Sequence, residues 1–276
     1  MQTGRSMLRL SAHAPVLTLG LALCFAYLSP ANKLSSASAQ VTSPNGSYGV
    51  LVNQWKDPNS NSVEAVLAVL NFDGAGNIAG TYTLTRSINF VLATGTLTGT
   101  YSGNPDGSNT VNLTFDIGAT VTAVMAVTDG GAGLQLLATG GNGSKPGQVV
   151  SGTGRIQSAQ GTMPAGSYGF LLNQWPDSAN NPDAIAGVMN LDGAGNVSGS
   201  FTAIGADVGP APISGTATGT YSVNPDGTGS LTLSANIGVM LTFSIVVTDG
   251  GSGILMLQTA ESDGFSQVVS GIARLQ

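Results

Sequence analysis

The chain has 276 residues, of which 8% are charged, 42% are hydrophobic and 40 are glycine. This hydrophobic content is sufficient for a buried core, and sparse Lys and Glu beside abundant Gly and Thr favour strands joined by tight turns. The formal net charge of −6 at pH 7 offers a phosphate backbone no cationic surface, which excludes nucleic acid as a partner.

The first 39 residues have the pattern of a secretory signal peptide. Arg5 and Arg9 form a basic start, Val16–Leu28 is an apolar run of 13 residues, and Ala37-Ser38-Ala39 matches a small-x-small cleavage site. A membrane span needs about 20 apolar residues. We therefore expect cleavage after Ala39 and a secreted, periplasmic or cell-envelope location. An uncleaved anchor and a lipid anchor on Cys24 are the alternatives.

Cleavage would also remove His13 and Cys24, the only residues of their kinds. Residues 40–276 then contain five basic and fourteen acidic residues, a formal net charge of −9. Such a chain has no disulfide, no serine-histidine or cysteine-histidine triad and no thiolate or imidazole zinc site. We therefore predict no cofactor and no enzymatic activity.

An internal duplication organises the rest of the chain. Gly46–Gly49 recurs as Gly166–Gly169, and Asn53-Gln54-Trp55 recurs as Asn173-Gln174-Trp175, in each case 120 residues later. This period is too long for a solenoid repeat, and each copy has the size of a domain. The pattern predicts one domain at 42–158, a linker at 159–165 and a second domain at 166–276, and we expect residues 42–158 to fold on their own.

Each copy shows the period-two alternation of β-strands. The runs in the first copy lie near 47–55, 63–73, 78–88, 90–102, 109–117, 120–129, 133–139 and 147–157. Eight short-linked strands predict an all-β protein of two tandem antiparallel eight-stranded up-and-down barrels, in which closure removes both exposed edges. Inward glycines such as Gly99 and Gly219 would permit tight coiling and leave interior space. A two-sheet sandwich explains the same alternation.

The succession G-S-Y-G, D-G-x-G-N and G-T-Y-S-x-N-P-D-G-x-G resembles a family of uncharacterised secreted bacterial repeat domains, over nearly all of 42–276. That resemblance implies no known activity. The architecture is more remotely similar to the calycin barrels, including the lipocalins, in which a first-strand Trp packs beneath an Arg of the last strand. The similarity implies such pairs for Trp55 with Arg155 and for Trp175 with Arg274, although Trp comes late in its strand here.

These four residues are candidate ligand contacts. Trp55 and Trp175 each follow an Asn-Gln pair, which is suited to a sugar-stacking platform. The alternative is a structural plug of the barrel, with Arg155 or Arg274 over the indole ring.

Glu64 and Asp183 occupy equivalent positions and share strand parity with apolar residues. If those apolar sets face inward, each barrel has one carboxylate at its rim, suited to ligand binding or to acid–base chemistry. The alternative is a solvated acid at the start of a strand.

Asp73–Asn77 and its twin Asp192–Asn196 resemble acidic glycine loops that chelate calcium. Each loop has too few carboxylates for a strong site, and Asp-Gly followed by a second Gly is typical of a hairpin turn. We therefore predict turns and no metal site.

Together these patterns predict a secreted, non-catalytic tandem barrel, either a surface or extracellular structural module or a binder of small ligands. The expected partner is a cell-surface component or a small, mostly apolar ligand that is neutral or cationic, because the chain is strongly acidic. No stable membrane insertion is expected. The alternatives are a carboxylate-dependent hydrolase or isomerase, and an integral outer-membrane barrel of sixteen strands.

Overall fold

A computed structural model describes residues 43–54, 63–87, 91–142, 149–157, 164–176, 183–205, 209–261 and 267–276. The predicted signal segment 1–39, Trp55 and most of the predicted linker 159–165 lie outside the described residues. No helix of the described part is long and apolar enough to cross a membrane.

Two closed antiparallel barrels form the fold. The first consists of β1 (Asn45–Gln54), β2 (Glu64–Asp73), β3 (Asn77–Arg86), β4 (Val91–Gly103), β5 (Asn109–Phe115), β6 (Thr120–Thr128), β7 (Gly133–Gly140) and β8 (Val150–Ile156). The second consists of β9 (Ala165–Pro176), β10 (Asp183–Asp192), β11 (Asn196–Gly205), β12 (Gly209–Val223), β13 (Thr228–Ala235), β14 (Met240–Thr248), β15 (Gly253–Glu261) and β16 (Gln267–Leu275).

Each barrel closes within its own copy of the repeat. Strand β8 pairs with β1, and β16 pairs with β9, so that every strand has two neighbours. The prediction of two eight-stranded up-and-down barrels is confirmed. The sandwich alternative is wrong because the last strand pairs with the first, and a single sixteen-stranded barrel is wrong because closure occurs twice.

Inward glycines allow neighbouring strands to approach closely. A Cβ at Gly99 would meet the carbonyl oxygen of Asn112, and a Cβ at Gly219 would meet that of Thr232. These positions therefore serve the coiling of the backbone. The expectation that they leave interior space is wrong at both positions, because the neighbouring strand fills the room.

One end of each barrel is filled by tyrosines. Tyr48, Phe72 and Tyr101 form edge-on ring contacts, with centroids 5.5 Å and 5.2 Å apart. The Tyr101 hydroxyl donates to the carbonyl oxygen of Pro44 at 3.0 Å, and in the second barrel Tyr221 donates to that of Pro164 at 2.6 Å. Burial removes water from the Tyr221 hydroxyl group and thereby raises its pKa. Any open interior therefore lies toward the opposite end.

The barrels pack side by side through an apolar cluster of outward-facing side chains. We call it the interbarrel cluster; its buried members are Leu51, Val63, Ala65, Leu67 and Val69 of the first barrel and Val246, Leu255, Leu257 and Val268 of the second. Polar contacts flank it. Thr85 Oγ1 donates to the carbonyl oxygen of Gln258 at 2.7 Å, and Ser270 Oγ donates to Asn53 Oδ1 at 2.6 Å. The two copies thus share buried surface although they share no strand.

Candidate functional site: the barrel interiors

Both barrels contain a cavity at the end opposite the tyrosines. The cavity of the first barrel measures about 150 Å³, and that of the second about 460 Å³. The two cavities are lined by equivalent strands, so the difference in volume comes from the side chains that each copy places inside.

Three aligned positions explain the larger second cavity. Leu84, Leu97 and Phe115 line the first cavity, and the residues that align with them are Ala203, Ala217 and Ala235, which line the second. Each change removes several carbon atoms from the interior. Larger residues at other aligned positions, such as Phe170 for Val50, Leu241 for Val121 and Val239 for Ala119, return only part of that volume, since the second cavity remains about three times larger.

An ion pair occupies the polar end of the first cavity. Glu64 and Arg86 are paired neighbours on β2 and β3, and Arg86 Nε donates to Glu64 Oε1. Gln54, the partner of Glu64 on β1, also lines this cavity. The carboxylate that the sequence placed at the rim therefore lies inside, and the chain itself supplies its counterion.

The polar end of the second cavity has a different composition. Asp183 is 5% exposed, and Gln174 Nε2 donates to its Oδ2 at 3.1 Å. The same nitrogen donates to Gln267 Oε1, and all three side chains line the cavity. Across the strand pair stands Gly205, where a Cβ would meet Asp183 Oδ1. The arrangement is a buried carboxylate that accepts a hydrogen bond from Gln174, whose amide group also binds Gln267.

Glu64 and Asp183 thus face the barrel interiors, as their alternation with inward apolar residues predicts. Ligand binding at either residue stays a prediction. The sequence reasoning missed Gln54, Gln174 and Gln267. The signal was available for Gln174, because it continues the inward alternation of Phe170 and Leu172.

Trp175 lies on the outer face of the second barrel. It is half-buried and packs against the interbarrel cluster. The interpretation of this Trp as a barrel plug is wrong, because Gln174 and not Trp175 shares the inward parity of Leu172. Trp175 therefore does not line the described cavities.

Arg155 and Arg274 bind carboxylates at the junction of the barrels. Arg155 Nη1 donates to Asp129, its Nε donates to Asp249 Oδ1 at 3.0 Å, and Arg274 Nη1 donates to Asp249. Arg274 pairs with Gly169, six residues along β9 from Trp175, which is about 20 Å at the usual rise of a strand. The expected stacking of Arg274 on Trp175 is therefore wrong, and neither arginine is among the described residues that line the two barrel cavities.

The two acidic glycine loops direct their carboxylates into their own turns. Asp73 Oδ1 accepts the amide protons of Ala75 at 2.7 Å and Asn77 at 2.9 Å, and Oδ2 accepts a side-chain proton of Asn77 at 2.6 Å. These hydrogen bonds, the side-chain bond from Asn77 first, lower the pKa of Asp73. The Asp192 loop repeats the pattern. Within the described ranges, no three His, Cys, Asp or Glu residues form a group able to hold a metal ion.

No family model and no curated protein matches the chain. Among solved structures, it is similar to a de novo designed fluorescence-activating β-barrel, with 14% identity and a TM-score of 0.31, over 42% of this chain and 94% of that chain. It is also similar to intact Ap-TbpB with its N and C lobes, with 10% identity and a TM-score of 0.33, over 84% of this chain and 79% of that chain. The assignment of the fold rests on the strand pairing.

Proposed function

We propose that the protein is a secreted, non-catalytic tandem barrel whose second barrel binds one small, mostly apolar ligand. The observation that carries the proposal is the cavity of about 460 Å³. This volume lies within the range of about 300–1,000 Å³ typical of small-molecule sites, which are apolar pockets with a few polar groups that orient the ligand. Here the apolar wall includes Ala203, Ala217 and Ala235, and the polar groups are confined to one end.

The first barrel has a structural role in this proposal. Its cavity of about 150 Å³ is below that range, and the ion pair of Glu64 with Arg86 already occupies the polar end. Its outer face contributes Leu51 and Leu67 to the interbarrel cluster, which fixes it against β14–β16 of the second barrel.

The non-catalytic assignment is supported by composition and by the interior. The only His and the only Cys lie within residues 1–39, and the described residues that line each barrel cavity include a single carboxylate. Acid–base hydrolysis of glycosides uses two carboxylates. The signal-peptide pattern of residues 1–39 supports the secreted location.

The test is a titration with an environment-sensitive apolar dye. We expect saturable binding at one site per chain. The triple variant Ala203→Leu, Ala217→Leu, Ala235→Phe places in the second barrel the residues that the first barrel already accommodates, so we expect it to keep the fold and lose the site. Ala186→Leu is the matched control, because it adds the residue of the first copy on an exposed outer position.

Circular dichroism and a thermal melt check that each variant is folded. No saturable binding to the wild type, or unchanged binding to a folded triple variant, would contradict the proposed function.

A further inference from the structure

The contact between the two barrels uses a different face of each barrel. The first barrel contributes the outer face of β1 and β2, which we call the front face, and the second contributes the outer face of β14–β16, which we call the back face. Because the second barrel is a copy of the first, each barrel has both faces. The contact within the chain therefore leaves two faces uncovered: the back face of the first barrel, on β6–β8, and the front face of the second, on β9 and β10.

Both uncovered faces present apolar side chains to water. On the back face of the first barrel, Leu137 and Val149 are 51% and 53% exposed, although the residues aligned with both are buried in the interbarrel cluster. On the front face of the second barrel, Leu171 is 47% exposed, whereas the aligned Leu51 is buried. Apolar residues grouped on an exposed surface are typical of sites of protein contact.

Polar contacts across the junction are present in the sequence a second time. Arg155 Nε of the first barrel donates to Asp249 Oδ1 of the second at 3.0 Å, and Gln157 Nε2 donates to the carbonyl oxygen of Asp226. The residues aligned with these four are Arg274, Asp129, Gln276 and Asp106. Each donor and each acceptor of these contacts is thus the same residue type in the other copy, on the face that the chain leaves uncovered.

The second barrel also holds its donors in the orientation that such a contact requires. Arg155 and Arg274 each bind an aspartate of their own barrel through Nη1. Ser167 Oγ donates to Gln276 Oε1 at 3.1 Å, and the equivalent serine of the first barrel holds Gln157 in the same way. Arg274 Nε and Gln276 Nε2 are therefore positioned as the atoms that cross the junction are positioned in the first barrel.

A glycine that the junction requires occurs on both front faces. A Cβ at Gly49 would lie 2.6 Å from a methyl group of Val246 and 3.0 Å from one of Thr248, so glycine permits the close approach of the two barrels. At the aligned Gly169, a Cβ would meet, among the described residues, the flexible side chain of Gln276 and no backbone atom. The front face of the second barrel thus has room for an equally close neighbour.

We infer that a second copy of this chain binds head to tail, with the front face of its second barrel against the back face of the first barrel of its neighbour. Arg274 Nε of one molecule then binds Asp129 of the next, whose side chain is 57% exposed. Because the two faces differ, the contact is heterologous and produces rings or open chains of molecules, not two-fold dimers. This association is a property of the outer surface and goes beyond the proposed function.

Two substitutions between the copies make this contact weaker than the one within the chain. Ala186 stands on the front face of the second barrel in place of Leu67, and Gln135 stands on the back face of the first in place of Leu255. Both changes reduce the apolar area that association can bury. We therefore expect association at high protein concentration and single molecules in dilute solution.

Sedimentation velocity of the full chain over a wide range of concentrations tests the inference, at physiological ionic strength so that repulsion between acidic molecules is screened. The average mass of the wild type should rise with concentration beyond that of two chains. Leu171→Asp on the front face and Leu137→Asp on the back face should each remain single molecules, because each variant retains only one competent face. Ser234→Asp, an exposed outer position on β13 across the barrel from β9, is the matched control and should associate as the wild type does.

A mixture of the two face variants distinguishes head-to-tail binding from other modes. Each variant retains the face that the other has lost, so the mixture should form a dimer of one molecule of each and nothing larger. Gln135→Leu with Ala186→Leu, which restores the residues of the contact within the chain, should tighten association at least about tenfold.

Circular dichroism checks that every variant is folded. A wild type that stays a single molecule at every concentration would overturn the inference. Self-association of either folded face variant, or a mixture of the two that forms no dimer, would overturn it as well. None of these measurements involves a ligand, so their failure leaves the proposed function standing.

Discussion

The interbarrel cluster gives a quantitative prediction because the repeat supplies its own control. Leu257 lies on the outer face of β15, is fully buried, and belongs to this cluster. Its equivalent in the first copy, Leu137 on β7, is 51% exposed. The two leucines share sequence context and strand position, so truncation of each to Ala differs chiefly in whether the side chain is covered by the other barrel.

The expected magnitudes follow from burial. Truncation of a fully buried Leu costs about 2–5 kcal/mol, because the transfer energy is lost and a cavity remains. Substitutions on an exposed surface usually stay within about 0.5 kcal/mol. For a protein of this size, a change of 1 kcal/mol shifts the melting temperature by about 2–4 °C. Leu257→Ala should therefore lower the melting temperature by about 4–20 °C, and Leu137→Ala by no more than about 2 °C.

Urea unfolding, followed by circular dichroism, measures both free energies of unfolding. The slope of the unfolding free energy with urea should be compared first, because a changed slope signals altered cooperativity. If Leu257→Ala lowers the free energy of unfolding by no more than Leu137→Ala does, Leu257 is not buried between the barrels, and the side-by-side packing is wrong.

Three further predictions follow from the same structure. Residues 42–158 alone should keep the complete barrel yet unfold at a lower urea midpoint than the full chain, because Leu51 and Leu67 become exposed; an unchanged midpoint would contradict the interface. The double variant Ala217→Leu, Ala235→Phe should raise the free energy of unfolding by about 0.5–2 kcal/mol in a urea melt, since it fills a cavity; a large loss would show that the space is not available. The lowered pKa of Asp73 means that its contribution to stability is full above the ordinary value of 3.8 and is lost as the pH falls below it, so Asp73→Asn should weaken the acid dependence of the urea midpoint; an identical pH profile would contradict the turn geometry.

Much of the fold could be predicted because apolar and polar residues alternate strictly along strands that have one face in solvent. Val111 and Leu113 alternate with polar residues along β5, and the structure buries Val111 completely. The Asp-Gly turns also follow directly from local chemistry, because glycine accepts the positive φ that Gly74 and Gly76 adopt.

The packing between barrels was not predicted, although β2 contains a signal for it. Ala65, Leu67 and Val69 are apolar on the face opposite to Val66 and Leu70, so both faces of this strand avoid water. A strand that is apolar on both faces indicates burial on both sides. The choice of partner surface depends on the second copy, where Leu255 stands in place of the exposed Gln135, and no local pattern reveals which face meets it.

Only part of the candidate site could be predicted from the sequence. Strand parity placed Glu64 and Asp183 inward. Trp175, predicted from the preceding Asn-Gln pair and from the remote calycin resemblance, and Arg274, predicted from that resemblance, lie instead on the outer face. The difference in cavity volume was readable only by comparing the copies position by position, as in Phe115 against Ala235, once the inward face was known.

The most direct test of the central account locates a bound probe inside the second barrel. With methyl-labelled alanine and octanol as a small apolar probe, intermolecular nuclear Overhauser effects report which alanine methyl groups lie next to the alkyl chain. The account predicts contacts to Ala203, Ala217 and Ala235. Contacts only to exposed alanines such as Ala186, or to the first cavity through Ala68 and Ala123, would contradict it.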